Sequence, residues 1–464
     1  MNSRCLMLGM APACAPDSLS ICWISGSLRK NCRLVKGLTL SIVARMPFAC
    51  GIDFGTSNSA VGVCAAAGPR LLPIERGATS VPTALFFSFD DDSTTFGHAA
   101  LERYFAREPG RYLRAIKSVL GTKLFAETTQ VKLKHYAFGE VVAAFLEFLR
   151  AAAGESLGTP PTSVVIGRPA FFVDDDPAAD AAAERQLEAA ARAAGFERVA
   201  FQFEPIAAAL DYEQRVNAEE IALVADIGGG TSDFSVVRVS PERARSSNRR
   251  RDILGFTGVH VGGTDFDRQL AMASVMPALG LRSRLRRPGL HAPSWYFYDL
   301  ATWHKIGFLY DPKVLTEVRG VLRDSAEPEK IQRLLRVLEQ CKGHALLAGV
   351  ESAKIELSSA DLATLDLDAS VADMTLEIRR AALEATIADS LRRIRSRVDD
   401  VLRLAGLTPD SVSAVFLTGG ATRMPSMRQC IAAAVPAARL IAGDAFGSVA
   451  TGLALDAGKR FAER

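Results

Sequence analysis

No apolar run in this 464-residue chain approaches the ~20 residues needed to cross a bilayer, which argues against a membrane protein. The six histidines are scattered and no Cys-x-x-Cys pair occurs, so the sequence carries no metal-binding signature. Strong net charge is missing as well. The formal +3 is unevenly spread: residues 1–45 contribute +5 and the remainder −2, leaving no electrostatic basis for nucleic-acid binding. The polar bias of a disordered chain is also absent, since 48% of residues are hydrophobic. The length suffices for two domains with full cores.

Residues 1–45 hold half of the cysteines, Cys5, Cys14, Cys22 and Cys32, and show neither helical nor strand periodicity. Their short apolar stretches are broken by Arg29, Lys30, Arg33 and Lys36 without the order of charge, apolar core and cleavage site that marks a signal peptide. They read as a disordered or mis-assigned extension, with a start expected near Met46. Cys50, Cys64, Cys341 and Cys430 lie in apolar surroundings, as reduced core cysteines of a cytoplasmic protein would.

The most informative stretch is Val224-Ala-Asp-Ile-Gly-Gly-Gly-Thr-Ser-Asp-Phe-Ser-Val-Val237, a buried strand that runs into an acid-led glycine turn and out into a second strand. A weaker copy stands at Cys50-Gly-Ile-Asp-Phe-Gly-Thr-Ser-Asn-Ser-Ala-Val-Gly-Val63. Each reads as a phosphate-binding hairpin, because glycines turn the backbone and bring amide N–H groups to an anion with no side chain in the way. The carboxylates of Asp53 and Asp226 suit a Mg²⁺ ion that keeps several of its own waters. Two such loops suggest a duplicated fold gripping a nucleotide's phosphates from both sides.

Periodicity predicts a strand at Ala84–Phe89, helices at Ala99–Arg107, Tyr112–Leu120 and Gly139–Ala153, and a buried strand over residues 162–168 ended by Pro169. An Ala-rich helix, Ala178–Ala194, closes at Gly195, a short strand follows at Val199–Phe203, and a helix begins at Pro205. Strand and helix alternate, which means an α/β architecture. The charge run 241–252 reads as a solvated hairpin tip. After Gly262-Gly-Thr-Asp-Phe-Asp267 the chain reads as mostly helical to about Arg403, with an irregular aromatic stretch near Trp295–Trp303; a strand, a glycine turn and a helix follow from Ala414, and a last helix spans Gly447–Leu455.

From about Phe48 to Leu455, five segments in order resemble the ATPase domain of the heat-shock seventy-kilodalton, DnaK-type chaperones. They are Gly51-Ile-Asp-Phe-Gly-Thr-Ser-Asn-Ser59, Ala115-Ile-Lys-Ser-Val-Leu-Gly121, Phe203-Glu-Pro-Ile-Ala-Ala-Ala-Leu-Asp-Tyr212, the second glycine loop, and Leu417-Thr-Gly-Gly-Ala-Thr-Arg-Met-Pro425. The resemblance implies the actin-like fold, with two lobes that each hold a ribonuclease-H-like core and an inserted subdomain around a nucleotide cleft. Lobe boundaries are expected at 46–222, with an insertion at about 83–137, and at 223–464, with an enlarged, mainly helical insertion at about 261–385.

It further implies binding of ATP or ADP with Mg²⁺, and slow ATP hydrolysis. Lys117 matches the family's catalytic lysine, and Glu204, Asp226 and Thr231 complete the implied catalytic set. Gly55, Thr56, Ser57, Asn58, Gly228, Gly229, Gly230, Thr231 and Gly263 would surround the phosphates, with Asp53 and Asp226 holding magnesium through water. Asp233 is equally well explained as a solvent-facing strand residue. Val350-Glu-Ser-Ala-Lys-Ile-Glu-Leu-Ser-Ser359 is similar to the helix that holds the ribose, so Glu351 and Lys354 would form that clamp. Gly419, Gly420, Ala421, Arg423 and Asp444 would meet the adenosine. Ile355 stands where the family has an arginine against the adenine ring, which leaves Arg423 alone of that cationic pair.

The family's peptide-binding half is expected to be lacking. After Pro169 the family's nucleotide relay is replaced by Val173-Asp-Asp-Asp176, with Arg185 a candidate for a displaced relay arginine, and the interval between Gly263 and Glu351 is enlarged. These features, with Ser325-Ala-Glu-Pro-Glu-Lys330 and Phe446-Gly-Ser-Val449, look most like the short YegD-like members. The expected function is a chaperone-like ATPase with client or co-chaperone proteins as partners. Two rivals stand beside it: a nucleotide-gated interaction module whose partner binds near 280–345, and a small-molecule kinase on the same fold.

Overall fold

A computed structural model describes residues 49–464 apart from 107, 174–175, 214–215, 247, 304, 368–373, 443–446 and 462–464. The expectations for residues 1–45 and for Asp444 lie outside the described residues.

Two sheets follow one plan. In the first, Gly68–Leu71, Asn58–Ala65, Ala49–Phe54, Ser163–Arg168 and Arg198–Phe203 lie side by side in that order, with Ser80–Pro82 added alongside Asn58–Ala65. In the second the order is Ile253–Val259, Ser232–Val239, Glu220–Ile227, Ala414–Thr418 and Arg439–Ala442. Each begins as an antiparallel three-strand meander and grows by two parallel strands on the far side of its first strand. The parallel additions are covered on both faces, which is why Val164–Ile166 and Val415–Leu417 are continuous apolar runs rather than alternating ones.

Two helices, Glu204–Glu213 and Ser448–Phe461, lie between the sheets. Ile206, Leu210 and Leu453 share one core with Val165 of the first sheet and Val224 and Phe416 of the second. At Gly452 a Cβ would stand 1.8 Å from the Ala207 carbonyl oxygen, so only glycine lets these helices come so close. The last helix also presses on the first sheet, where a Cβ on Gly51 would meet the Ala454 nitrogen at 2.3 Å. The helix Ser448–Phe461 therefore packs against the sheet that holds Ala49–Phe54.

Each lobe carries an insertion. In the first, Ala84–Ser88 pairs with Thr94–Phe96 and Gly110–Arg114 beside the helix Gly97–Phe105. In the second, the helices Pro312–Asp324, Pro328–Glu339 and Gly343–Glu356 precede a hairpin of Leu362–Leu367 and Met374–Arg379.

Several local expectations are corrected. Tyr112–Leu120 is not a helix: Gly110–Arg114 is a strand held by Ala84–Ser88, and only Ile116–Val119 turns, as a short 3₁₀ helix. Sheet pairing overrides the helical spacing there. The aromatic stretch is ordered, with Trp295–Leu300 helical, and the hairpin at 362–379 interrupts a region expected to be helical. Cys64 is exposed rather than part of the core.

The charge run is not all solvated either. Arg249 is 1% exposed, donates to both carboxylate oxygens of Glu213 at 2.7 and 2.8 Å, and also pairs with Asp252. Glu213 lies at the end of the helix between the sheets, so the countercharge that buries this arginine comes from outside the run.

Candidate functional site

Both glycine hairpins form, and each is buttressed from outside. In the first, the Thr83 hydroxyl donates to the Gly55 carbonyl at 2.7 Å and the Thr83 amide to the Ser57 carbonyl at 2.9 Å. In the second, the Gly263 amide donates to the Gly228 carbonyl at 2.9 Å, while the amide and hydroxyl of Thr264 both donate to the Gly229 carbonyl at 2.7 Å. Carbonyl oxygens are thereby tied back. Among the described residues, the amides of Gly229, Gly230 and Thr231 donate to no protein acceptor, so they are free to meet an anion. A Cβ on Gly229 would stand 2.5 Å from the Ser57 hydroxyl, which places the two loops face to face across the interlobe cleft. Thr56, Asn58, Gly230 and Thr231 are exposed there.

Below the loops, acids and one lysine converge. Ala115 takes a left-handed conformation at φ 54°, ending the strand Gly110–Arg114 and turning the chain into the 3₁₀ helix that carries Lys117. Lys117 Nζ lies 2.7 Å from Glu204 Oε1, and both side chains are largely buried. Glu204 opens the interlobe helix, followed by Pro205 in the first turn, where a carboxylate also complements the helix dipole.

Asp53 is pushed up to about 8 by burial and by the neighbouring Glu204 and Asp226 carboxylates, against the pull of Lys117. Asp226 is pushed up to about 6, again by burial and Glu204, although the Thr418 hydroxyl donates to it at 3.2 Å. Burial lowers the affinity of the Lys117 ammonium for its proton, but Glu204, Asp53 and Asp226 together outweigh that and hold its pKa above the ordinary value.

Asp233 is half-buried, facing the other acids of the cleft rather than open solvent alone. It is pushed up to about 7 by burial and by Asp226, and it accepts the Thr231 hydroxyl at 3.1 Å. A narrow crevice between the lobes reaches this group, lined by Pro169, Ala170, Glu204, Asp226, Asp233 and Phe256 among others.

A third turn, Gly419 to Arg423, follows the strand Ala414–Thr418 and lies against the second loop, since a Cβ on Gly419 would meet the Ile227 carbonyl at 2.2 Å. Gly420 is half-buried, Ala421 buried and Arg423 exposed. Lys354 turns inward: its Nζ lies 2.8 Å from Asp267 Oδ1 and donates to the Gly263 carbonyl at 3.2 Å, so it pins the turn that holds the second loop. Glu351, one turn earlier on the same helix, is exposed, and Ile355 beside Lys354 is 57% exposed.

The Hsp70 protein family matches residues 49–276 and 332–459. The chain belongs to the Hsp70 protein family. Its fold is the actin-like, two-lobed α/β architecture of that family's ATPase domain. The chaperone protein DnaK of Thermus thermophilus is 28% identical over 415 residues, covering 83% of this chain and 56% of that protein. The chain thus spans a little over half the length of that relative. Residues 277–331 lie between the two stretches of the Hsp70 match.

A divalent cation fits this Hsp70 cleft by the chemistry of its donors, because Asp53, Glu204, Asp226 and Asp233 together face one ammonium. Among the described residues no three His, Cys, Asp or Glu side chains form a direct metal-binding group. No described helix is long and apolar enough to cross a membrane.

Sequence reasoning missed Thr83, Thr264 and Asp267, which hold the loops in place. Their signal was weak because a buttressing threonine or aspartate has no motif of its own. Arg185 is exposed, while Arg168 is buried with Asp180 at 2.8 Å and with Glu184, so the charged network after Pro169 is built on Arg168.

Proposed function

We propose that this Hsp70-family chain binds ATP between its lobes with magnesium and hydrolyses it slowly, as a chaperone-type ATPase. The observation that carries this reading is the meeting of two face-to-face glycine loops above a buried Lys117–Glu204 pair. Phosphoryl transfer needs positioning and charge rather than a covalent nucleophile. The amides of Gly229, Gly230 and Thr231 would receive phosphate oxygens, and Thr56, Ser57 and Asn58 would close from the opposite lobe.

Lys117, held protonated by its acidic neighbours, would present positive charge to the γ-phosphoryl oxygens as that bond loosens. Glu204 and Asp233 would orient and accept from the attacking water. Magnesium at Asp53 and Asp226 would neutralise phosphate charge. Lys354, Glu351 and the turn Gly419–Arg423 would border the nucleoside, with Ile355 leaving one face of the base without a cation.

The segments Ser325–Lys330 and 446–449, with the enlarged second insertion, favour the short YegD-like branch of the family. Its clients or co-chaperones would respond to lobe closure around the nucleotide. Location in the cytoplasm is part of the same reading.

Calorimetric titration with ATP, with and without magnesium, tests it directly. Micromolar or tighter binding that needs magnesium and is lost in Asp226→Ala is the expected result. Unchanged affinity and turnover in that variant would remove the cleft from consideration.

A further inference from the structure

The stretch outside the Hsp70 match contains the most concentrated unpaired charge described in the molecule. Arg282, Arg284, Arg286 and Arg287 are all exposed within six positions, and among the described residues none of their guanidinium groups is paired with a carboxylate, the Glu327 carboxylate meeting Arg284 only through its backbone. The loop that carries them is held firmly. Arg284 and His291 bridge across it, the Leu285 amide donates to the Leu290 carbonyl at 2.9 Å, and the Arg286 amide donates to the Asp324 carbonyl at 2.7 Å. The Ala326 amide donates back to the Arg284 carbonyl at 2.9 Å, fastening the loop to the end of the helix Pro312–Asp324. Arg282, at the loop's entry, sits in the left-handed region at φ 65°, a strained position for a non-glycine residue.

These contacts shape an open cavity of about 410 Å³ lined by Arg284, Leu285, Arg286, Leu290, His291 and Ala326. Leu290 is 47% exposed beside the arginines. Exposed guanidinium groups carried on a fastened backbone next to apolar side chains suit carboxylates presented on a polypeptide, which can bond in bidentate fashion while neighbouring residues cover the leucines. Nucleic acid suits it less, because no Phe, Tyr or Trp ring lines the cavity to stack successive bases, His291 offering a single imidazole; the exposed Trp295 and Tyr298 belong to the following helix and lie outside the lining.

We propose that the loop 282–291 is a docking site for an acidic segment of a partner protein, with Arg284 and Arg286 taking its carboxylates and Leu290 an adjoining apolar residue. The site stands whether or not ATP is hydrolysed, since none of its residues belongs to the cleft.

Fluorescence anisotropy of the full chain with a labelled peptide of alternating Glu and Val tests it. Binding should weaken as salt rises and fall at least tenfold in the double variant Arg284→Glu, Arg286→Glu, which should instead gain a Lys and Val peptide. Arg392→Glu, on the far helix Arg380–Leu404, should bind like the parent. A thermal unfolding midpoint unchanged in all three proteins reports that they are folded and separates this test from that of the cleft. No binding of the Glu and Val peptide by the parent overturns the proposal. So does undiminished binding by the double variant, or displacement of the peptide by inorganic phosphate or by an oligouridylate at lower concentration.

Discussion

Tyr104 Oη lies 2.7 Å from His344 Nε2 and joins the insertion of the first lobe to that of the second. Aromatic rings surround the contact: Tyr104 stacks on Tyr112 at 4.4 Å, Phe105 meets Trp303 edge-on at 5.8 Å, and Arg114 lies over Trp303 at 5.4 Å. Because the two side chains belong to opposite lobes, their bond exists only while the insertions are together.

Tyr104→Phe and His344→Ala should therefore open the cleft more readily while leaving each lobe intact. A bond of this kind contributes about 1 kcal/mol, so release of a fluorescent ADP analogue should speed up roughly fivefold. Stopped-flow release rates equal to the parent's would show that the contact does not hold the lobes.

Gly229→Ala should weaken ATP binding because its Cβ would meet the Ser57 hydroxyl at 2.5 Å and push the loops apart. Adding Ser57→Ala removes that oxygen and leaves the nearest contact at 3.5 Å, an ordinary separation. Affinity should recover in the double variant relative to Gly229→Ala. Strict additivity of the two losses in calorimetry would contradict the face-to-face arrangement.

Lys117→Ala should separate binding from chemistry. Ground-state affinity would come mainly from loop amides and magnesium, whereas the ammonium would meet charge that develops in the transition state. The single-turnover hydrolysis rate should fall about 10²-fold or more with affinity changed far less. A collapse of affinity with a normal rate per bound ATP would assign Lys117 to binding alone.

The raised carboxyls make stability depend on pH in a definite sense. Asp53, Asp233 and Asp226, pushed up to about 8, 7 and 6, hold protons more tightly folded than unfolded. Stability from that preference is complete below an ordinary carboxyl pKa of about 4 and is lost as pH rises through the folded values. Asp53→Asn removes the highest of the three. The Tm of the ligand-free variant should gain on the parent's as pH rises from about 5 to about 8. A difference that stays constant or shrinks across that range would be the contrary result.

Arg249→Met should be costly, because it strands Glu213 in the protein interior without its cation, while Asp252 keeps Arg243. Removing one partner of a buried pair typically costs about 3–5 kcal/mol. Thermal unfolding should show that loss, and Arg249→Met combined with Glu213→Gln should recover part of it. A loss below about 1 kcal/mol would place this cluster among surface ion pairs.

Much of the site was written locally. The two acid-led glycine turns, at Asp53 and Asp226, are legible because a phosphate-binding hairpin needs its carboxylate, glycines and flanking strands within a dozen consecutive positions. The strands Ser163–Arg168 and Ala414–Thr418 were equally plain as continuous apolar runs. Lys117 emerged from a resemblance, not from its own pattern, since a lysine between apolar residues fits a surface helix as well as a cleft.

What the linear pattern could not decide is who meets whom. Local spacing made Tyr112–Leu120 a helix, while a partner strand at Ala84–Ser88 made its first part a strand and Ala115 a strained corner that aims Lys117 at Glu204. The charge run at 241–252 looked solvated until Glu213, supplied by the interlobe helix, buried Arg249. Spacing put Glu351 and Lys354 on one helix face, while Asp267 and the Gly263 carbonyl turned Lys354 inward. The turns, the buried strands and the duplicated hairpins follow from local order, because they depend on neighbours in the chain. The ionisation of the acids and the partners of the charged side chains follow from the folded arrangement, because burial and Coulomb forces act between residues that folding brings together from distant parts of the chain.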